Sequence, residues 1–269
     1  MSNKTPTVKE LFSAGAHVGH LRSKTDARTH NFVYAFRNRI AVIDLDQTVL
    51  QIEKAMEFLN FQAKQGALVL FSGTKLQAKE KIKEIATKLK MPYISERWPG
   101  GLITNFPIVS KSIKKMIKTE SDLAENKYEH LTKNERLKIQ KDLDKSKLIF
   151  DGLRTLDRVP DVLFVVDAKE EEIAVLEARA KGVPIVALCD TNANPNNIDY
   201  PIIINDDSRK SIAMVLDLIA AEFEKNHQTR AVETKVEERV DKAIKKESKL
   251  KNSSNEKKKN GRKNKKSAG

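Results

Sequence analysis

Residues 161–190 read DVLFVVDAKEEEIAVLEARAKGVPIVALCD. Two apolar runs, Val162-Leu163-Phe164-Val165-Val166 and Ile185-Val186-Ala187-Leu188-Cys189, bracket a stretch with helical spacing, and each ends in an aspartate, Asp167 or Asp190. A strand that is apolar at every position has both faces covered, because neither side of its pleat meets water. Strand, helix and strand in that order pair in parallel through a right-handed crossover. The same pattern recurs outward from this unit. Ala67-Leu68-Val69-Leu70-Phe71 runs into Ser72-Gly73, Ile40-Ala41-Val42-Ile43 into Asp44, and Ile202-Ile203-Ile204 into Asn205-Asp206-Asp207, with Tyr93-Ile94 as a further short strand. Helical spacing fills the gaps: Val49/Leu50, Met56 and Leu59 in 47–64; Leu76, Ile82, Ile85 and Leu89 in 75–89; Ile173, Leu176 and Ala180 in 171–181; Ile212, Val215, Leu216 and Ile219 in 208–225. The expected class is α/β, a doubly wound, mostly parallel sheet with helices on both faces.

The alternation stops between Pro107 and Leu153. Val109, Ile113, Met116 and Leu123 keep a helical seam, with Glu120 at the missing step. After a polar turn, Thr132-Lys133-Asn134-Glu135 forms a capping box. Ile139, Leu143, Ser146 and Phe150 then repeat the spacing. Two helices with a narrow apolar seam and Lys/Glu-rich outer faces make an antiparallel coiled-coil hairpin inserted in the α/β domain, a docking arm or an ordinary packing pair. The expected organisation is 1–106 with 154–225 as the α/β domain, 107–153 as the hairpin, and 226–269 as a tail.

The chain has 269 residues and a formal net charge of +13, carried unevenly. Residues 242–269 hold twelve Lys/Arg against two Glu, so residues 1–241 keep only +3. A tail this basic and this poor in apolar residues reads as disordered, and basic tails seek phosphate. No apolar run approaches the roughly 20 residues of a membrane span, so no membrane partner is expected. The opening residues, MSNKTP, resemble neither a signal nor a transit peptide. The one cysteine, Cys189, excludes an internal disulfide and a cysteine-based zinc knuckle, and suits a reducing cytoplasm.

Chemistry-bearing residues are few. Phe71-Ser72-Gly73-Thr74-Lys75 follows a strand and opens a helix, yet lacks either glycine-rich phosphate-loop signature. Asp44, Asp167 and Asp190 close strands without any nucleophile or paired-carboxylate motif, so helix capping and loop anchoring is the favoured reading. His17 and His20 could ligate a metal if the fold brought Asp190 or Asp206 to them; backbone hydrogen bonding or partner contact is the alternative. Glu96-Arg97-Trp98-Pro99-Gly100-Gly101-Leu102-Ile103-Thr104-Asn105-Phe106-Pro107 holds the sole tryptophan and the sole Gly-Gly. Arginine beside tryptophan suits a phosphate contact with a stacking plane, and a tight loop with Trp98 in the core is equally consistent. Lys111, Lys114, Lys115 and Lys118 share one face of the first hairpin helix, ready for a phosphate backbone.

These motifs occur in an order that resembles a known family. GAHVGH at 15–20, FSGTK at 71–75, PYISERWPGGLITNF at 92–106, RVPDVLFVVD at 158–167, DTNANP at 190–195, DYPI at 199–202 and NDD at 205–207 are similar to the bacterial-type ribosomal protein S-two family over roughly residues 7–225. The resemblance implies a flavodoxin-like sheet with an inserted coiled-coil hairpin, no catalytic activity and no cofactor. It implies a structural constituent of the small ribosomal subunit, ribosome-bound in the cytoplasm, that joins late in assembly. Its site would be on the solvent side near the neck, between head and body. The implied partners are small-subunit ribosomal RNA, neighbouring subunit proteins and, in many bacteria, the large mRNA-binding protein S-one. By motif match the contact positions are His20, Lys75, Arg97, Trp98, Gly100, Gly101, Thr104 and Asn105; Arg22, Arg28, Lys111, Lys114 and Lys115 add charge around them. One stretch departs: where the family reads QxRxWNPKM, this chain has LRSKTDART at 21–29, keeping the charge of Arg22, Lys24 and Arg28 and losing the tryptophan.

Overall fold

The computed structural model describes residues 5–225, and the basic tail expected to be disordered lies outside them. The elements are α1 (Val8–Ser13), β1 (Val18–Leu21), β2 (Val33–Arg37), β3 (Ile40–Ile43), α2 (Leu45–Gln65), β4 (Val69–Ser72), α3 (Lys79–Leu89), β5 (Tyr93–Ile94), α4 (Phe106–Ala124), α5 (Lys133–Phe150), β6 (Val162–Val166), α6 (Glu172–Lys181), β7 (Ile185–Cys189), β8 (Tyr200–Ile203) and α7 (209–225). Five strands form one parallel sheet in the order β5-β4-β6-β7-β8. Every residue of β4, β6 and β7 is buried. Alternate residues serve opposite layers. Val69, Phe71, Val162, Phe164 and Leu188 pack with α2, α3 and α7, while Leu70, Leu163, Val165, Ile185 and Ala187 pack with α6, the root of α4 and Trp98.

The chain leaves β4 for the edge strand β5 and returns to β6 on the other side of β4. Connections therefore diverge between β4 and β6, which in open α/β sheets creates a crevice at the carboxyl ends of the strands. The far edge is closed by α2: Thr48 Oγ1 donates to the Ile203 carbonyl at 2.7 Å, and the Ile203 N–H donates to Gln51 Oε1 at 2.8 Å. Both outward backbone groups of Ile203, on this edge strand, are thus taken up inside the chain.

Three expectations need correction. Ile40–Ile43 is not a strand of the parallel sheet; β3 lies between β1 and β2 in a separate antiparallel sheet. The reversal is made by Asn38 and Arg39, both at positive φ (48° and 66°), the conformation of a tight hairpin turn whose twist suits its strands. Only Ala41 and Ile43 of its four apolar residues point inward. Second, α3 begins at Lys79, after a turn in which the Lys75 carbonyl accepts from Ala78 and Lys79, and Leu76 is exposed. Third, α6 buries Ala174, Val175, Glu177 and Ala178 and turns Ile173 and Leu176 to solvent.

Helices α4 and α5 are joined by a short turn. Thr132 and Glu135 form the expected capping box at the start of α5. Val109, Ile113, Met116 and Leu143 are buried, and Lys147 and Arg154 both pair with Glu120.

Candidate nucleic-acid interface

The loop between β5 and α4 is built around one carboxylate. Glu177, on the inner face of α6, accepts five hydrogen bonds. Its Oε1 takes Trp98 Nε1–H (3.0 Å) and the Gly101 N–H (2.7 Å); its Oε2 takes the Ile103 N–H (3.0 Å), the Thr104 N–H (3.1 Å) and the Thr104 hydroxyl (3.1 Å). Burial pushes the Glu177 carboxyl up, but the bonds from Trp98, Gly101, Thr104 and Ile103 outweigh it, and its pKa falls below the ordinary value. Gly101 turns the chain at φ +84°, the left-handed region that favours glycine. Leu102 and Ile103 are buried beside it. Arg97, Gly100 and Asn105 are exposed and make no bond to Glu177.

This geometry sorts the residues singled out in the loop. Trp98 is only 8% exposed, so neither ring face is open to stack a base; it is a core residue whose N–H is spent on Glu177. Gly101 and Thr104 are likewise committed to Glu177. Arg97 and Asn105 flank the anchored segment. Arg97, Lys111, Lys114 and Lys115 have no ion-pair partner among the described residues, and all four are exposed. Arg97 at the start of the loop and Lys111, Lys114 and Lys115 on α4 are thus exposed cations that no described carboxylate pairs.

A second constellation occupies the carboxyl ends of the strands. Lys75 Nζ lies 2.6 Å from Asp206 Oδ1, 2.6 Å from Asp207 Oδ1 and 3.1 Å from Asp167 Oδ2. His20 Nδ1 is 3.0 Å from Asp190 Oδ2, and its Nε2 is 3.9 Å from Asp207 Oδ2. Four carboxylates share one ammonium and one imidazole. Burial pushes the Asp206 carboxyl up, Asp167 and Asp190 push it further, and Lys75 only partly opposes them, leaving it at about 7. The hydrogen bond to Asp190 raises the His20 pKa against its desolvation. Lys75 loses by burial and gains more from Asp206 and Asp207, so its ammonium is held above the ordinary lysine range. The ammonium of Lys75, a residue expected at the contact surface, has three carboxylate partners within the chain.

His17 stands apart from this cluster, stacked on Phe12 with ring centroids 4.1 Å apart. Among the described residues, His20, Asp190 and Asp207 are the group whose donor atoms are mutually close enough, within 4.8 Å, to share one ion; Asp206 faces Lys75 instead. Arg28 is bound side-on to Asp26, Nε at 2.9 Å and Nη2 at 3.1 Å, so its charge is neutralised locally. Arg22 lies over the Phe36 ring, 5.1 Å from its centroid.

The sequence reading missed Glu177, Glu171 and Asp207 as organisers, whereas Asp167 anchors its loop as expected, accepting from the Lys169 and Glu170 N–H groups at 3.0 Å. Glu171 accepts from the Thr74 N–H at 3.0 Å and anchors the turn after β4. Burial raises the Glu171 pKa, against the hydrogen bonding from Thr74. The signal for Glu177 was available: it falls in register with Ala174 and Ala178, small residues where a helix meets another element closely.

A family model described as Ribosomal protein S2 matches residues 11–226. The chain is similar to proteins named small ribosomal subunit protein uS2: 40% identical to one from Parabacteroides distasonis across 90% of this chain and 87% of that one. It is 42% identical to one from Porphyromonas gingivalis across 77% and 74%, and 41% identical to one from Dictyoglomus turgidum across 79% and 87%.

Proposed function

The chain belongs to the ribosomal protein S2 family, and from that premise we propose that it is held in the small ribosomal subunit by ribosomal RNA gripped between the 97–105 loop and the basic face of α4. Its role is structural, without catalysis. The observation that carries the RNA reading is the set of exposed cations without a described ion-pair partner, Arg97 in the loop that Glu177 clamps from inside and Lys111, Lys114 and Lys115 on the helix that follows it. Free lysines and arginines displace counterions from a phosphate backbone, and a rigid root spares part of the entropy of ordering them. Helices α4 and α5 act as a coiled-coil arm that gives a second foothold away from the sheet. Two tethered contacts raise effective concentration, which suits a clamp near the junction of head and body. Within this reading the α/β domain spans 1–106 and 154–225, the arm spans 107–153, and the protein joins late, working in the cytoplasm. No described helix is long and apolar enough to cross a membrane. Neighbouring subunit proteins, the large mRNA-binding protein S-one among them, are the expected protein partners.

The test is fractionation of lysate on sucrose gradients at low and high salt. Co-migration with small subunits and release by salt is the expected result, with lower occupancy for a variant combining Arg97→Ala, Lys111→Ala, Lys114→Ala and Lys115→Ala. Wild-type occupancy of that variant, correctly folded, would refute this interface.

A further inference from the structure

We infer that Glu177 is the positioning residue of the RNA-contacting loop: by collecting five hydrogen bonds from residues 98–104, it fixes the points from which Arg97 and Asn105 face outward. The inference rests on the proposed interface. The two exposed side chains each lie one residue from an anchored one, Arg97 beside Trp98 and Asn105 beside Thr104. The side chains of Leu102 and Ile103 are 0% and 1% exposed, so the segment is pinned from below as well.

Backbone N–H groups converging on one point form a cradle that elsewhere holds a phosphate or another anion. Here the chain fills that cradle with its own carboxylate. The loop therefore does not take an RNA phosphate into its donors; it meets RNA with flanking side chains whose aim the carboxylate sets. Glutamine at 177 offers one acceptor oxygen and turns an NH2 group toward donors. Either the Trp98 and Gly101 pair or the Ile103 and Thr104 set then faces another donor, and a buried donor without an acceptor forces the segment to rearrange.

The experiment compares wild type, Arg97→Ala, Glu177→Gln and the double variant as full chains. Binding is measured to small subunits from the same cells washed free of this protein at high salt. The emission of Trp98, the sole tryptophan, reports the loop directly, and thermal melts report global folding. Glu177→Gln is expected to weaken binding about tenfold, the scale of a lost charge-assisted hydrogen bond, and to red-shift the Trp98 emission. The double variant should bind no worse than the weaker single variant, because a misaimed Arg97 has nothing left to lose. Losses that multiply in the double variant would mean that Glu177 acts on stability alone and would overturn the inference. So would wild-type binding by Glu177→Gln while Arg97→Ala is impaired. Wild-type binding by Arg97→Ala would bring down the loop's place in the interface, and this inference with it. If Glu177→Gln does not fold, Trp98→Phe removes one donor and keeps a ring in place; about threefold weaker binding is expected, and unchanged binding overturns the inference.

Discussion

Gly152 sits where the arm rejoins the α/β body, and replacing it with alanine should be among the more damaging single-methyl additions in the chain. A Cβ at 152 would overlap the Tyr93 carbonyl oxygen and lie 2.8 Å from Cδ2 and Cε2 of the Tyr93 ring. The backbone at 152 is not left-handed, so the cost is steric. The Tyr93 carbonyl cannot swing away freely. The carbonyls on either side of it are held by the neighbouring strand and the turn after it, with Phe71 N–H donating to the Pro92 carbonyl at 3.1 Å and Gly73 N–H donating to the Ile94 carbonyl at 3.0 Å. Overpacking costs about 1–3 kcal/mol, and straining either of those bonds adds about 1 kcal/mol. Gly152→Ala should therefore lose about 2–4 kcal/mol in urea unfolding at 25 °C. At roughly 2–4 °C per kcal/mol for a domain of this size, the melting temperature should fall by about 4–16 °C. Gly100→Ala is the control: nothing lies within 4 Å of its Cβ position, and the variant should melt with wild type. A Gly152→Ala protein within about 0.5 kcal/mol of wild type would refute the packing argument for this junction.

Asp44 caps α2, accepting from the Asp46 N–H at 3.1 Å and the Gln47 N–H at 3.5 Å, so Asp44→Ala should lower the urea midpoint by an amount equivalent to about 1 kcal/mol. Asp206 has a folded pKa of about 7 against an ordinary 3.8. The native state therefore holds the proton more tightly, and this group's contribution, present below about pH 4, is lost as pH rises towards 7, a few kcal/mol in all. Asp206→Asn should flatten the stability–pH curve in that window when unfolding is followed in urea at several pH values; an unchanged slope refutes the assignment. Arg28→Ala should leave the salt dependence of subunit binding unaltered, since Asp26 already neutralises that guanidinium. Arg97→Ala should make the logarithmic salt dependence of binding shallower, by somewhat under one unit for each phosphate that Arg97 neutralises.

Much of the parallel sheet was legible because β4, β6 and β7 are apolar at nearly every position and nothing but double coverage accommodates that. The two helices α4 and α5 follow the expected spacing, with Val109, Ile113, Met116 and Leu143 buried, while Leu123, Ile139, Ser146 and Phe150 of the expected seam are only half-buried. Ile40–Ile43 misled for a physical reason. Four apolar residues in a row look doubly buried, yet Ile40 is 37% exposed and the pair Asn38-Arg39 dictates a hairpin. Without a glycine, that turn carries no strong local signal. The surroundings of Lys75 were not legible locally either: the turn Ser72-Gly73-Thr74 gives no sign of the three carboxylates, from Asp167, Asp206 and Asp207, that the fold sets around it. Local sequence reports what a residue offers; only the topology reports which partners consume it.

Helix α6 shows how strongly such partners act. Hydrophobic spacing would turn Ile173 and Leu176 inward, and burying both would contribute about 3–6 kcal/mol. The helix exposes them at 61% and 55%. Its inner face carries Ala174 and Ala178, which allow close approach, and it begins beside Glu171, so that two carboxylates serve two loops. Glu171 holds the turn after β4 and Glu177 holds the segment 98–104. Hydrogen bonds to a charged group contribute about 1.5–3 kcal/mol each, and Glu177 alone accepts five. Rotating α6 to bury the two large side chains would withdraw those acceptors and strand their donors among Trp98, Leu102 and Ile103. The polar set outweighs the apolar pair even if each bond is taken at the lower end. The face of α6 is thus chosen by the loops it must hold, one of which, the segment 98–104, is flanked by the exposed Arg97 and Asn105.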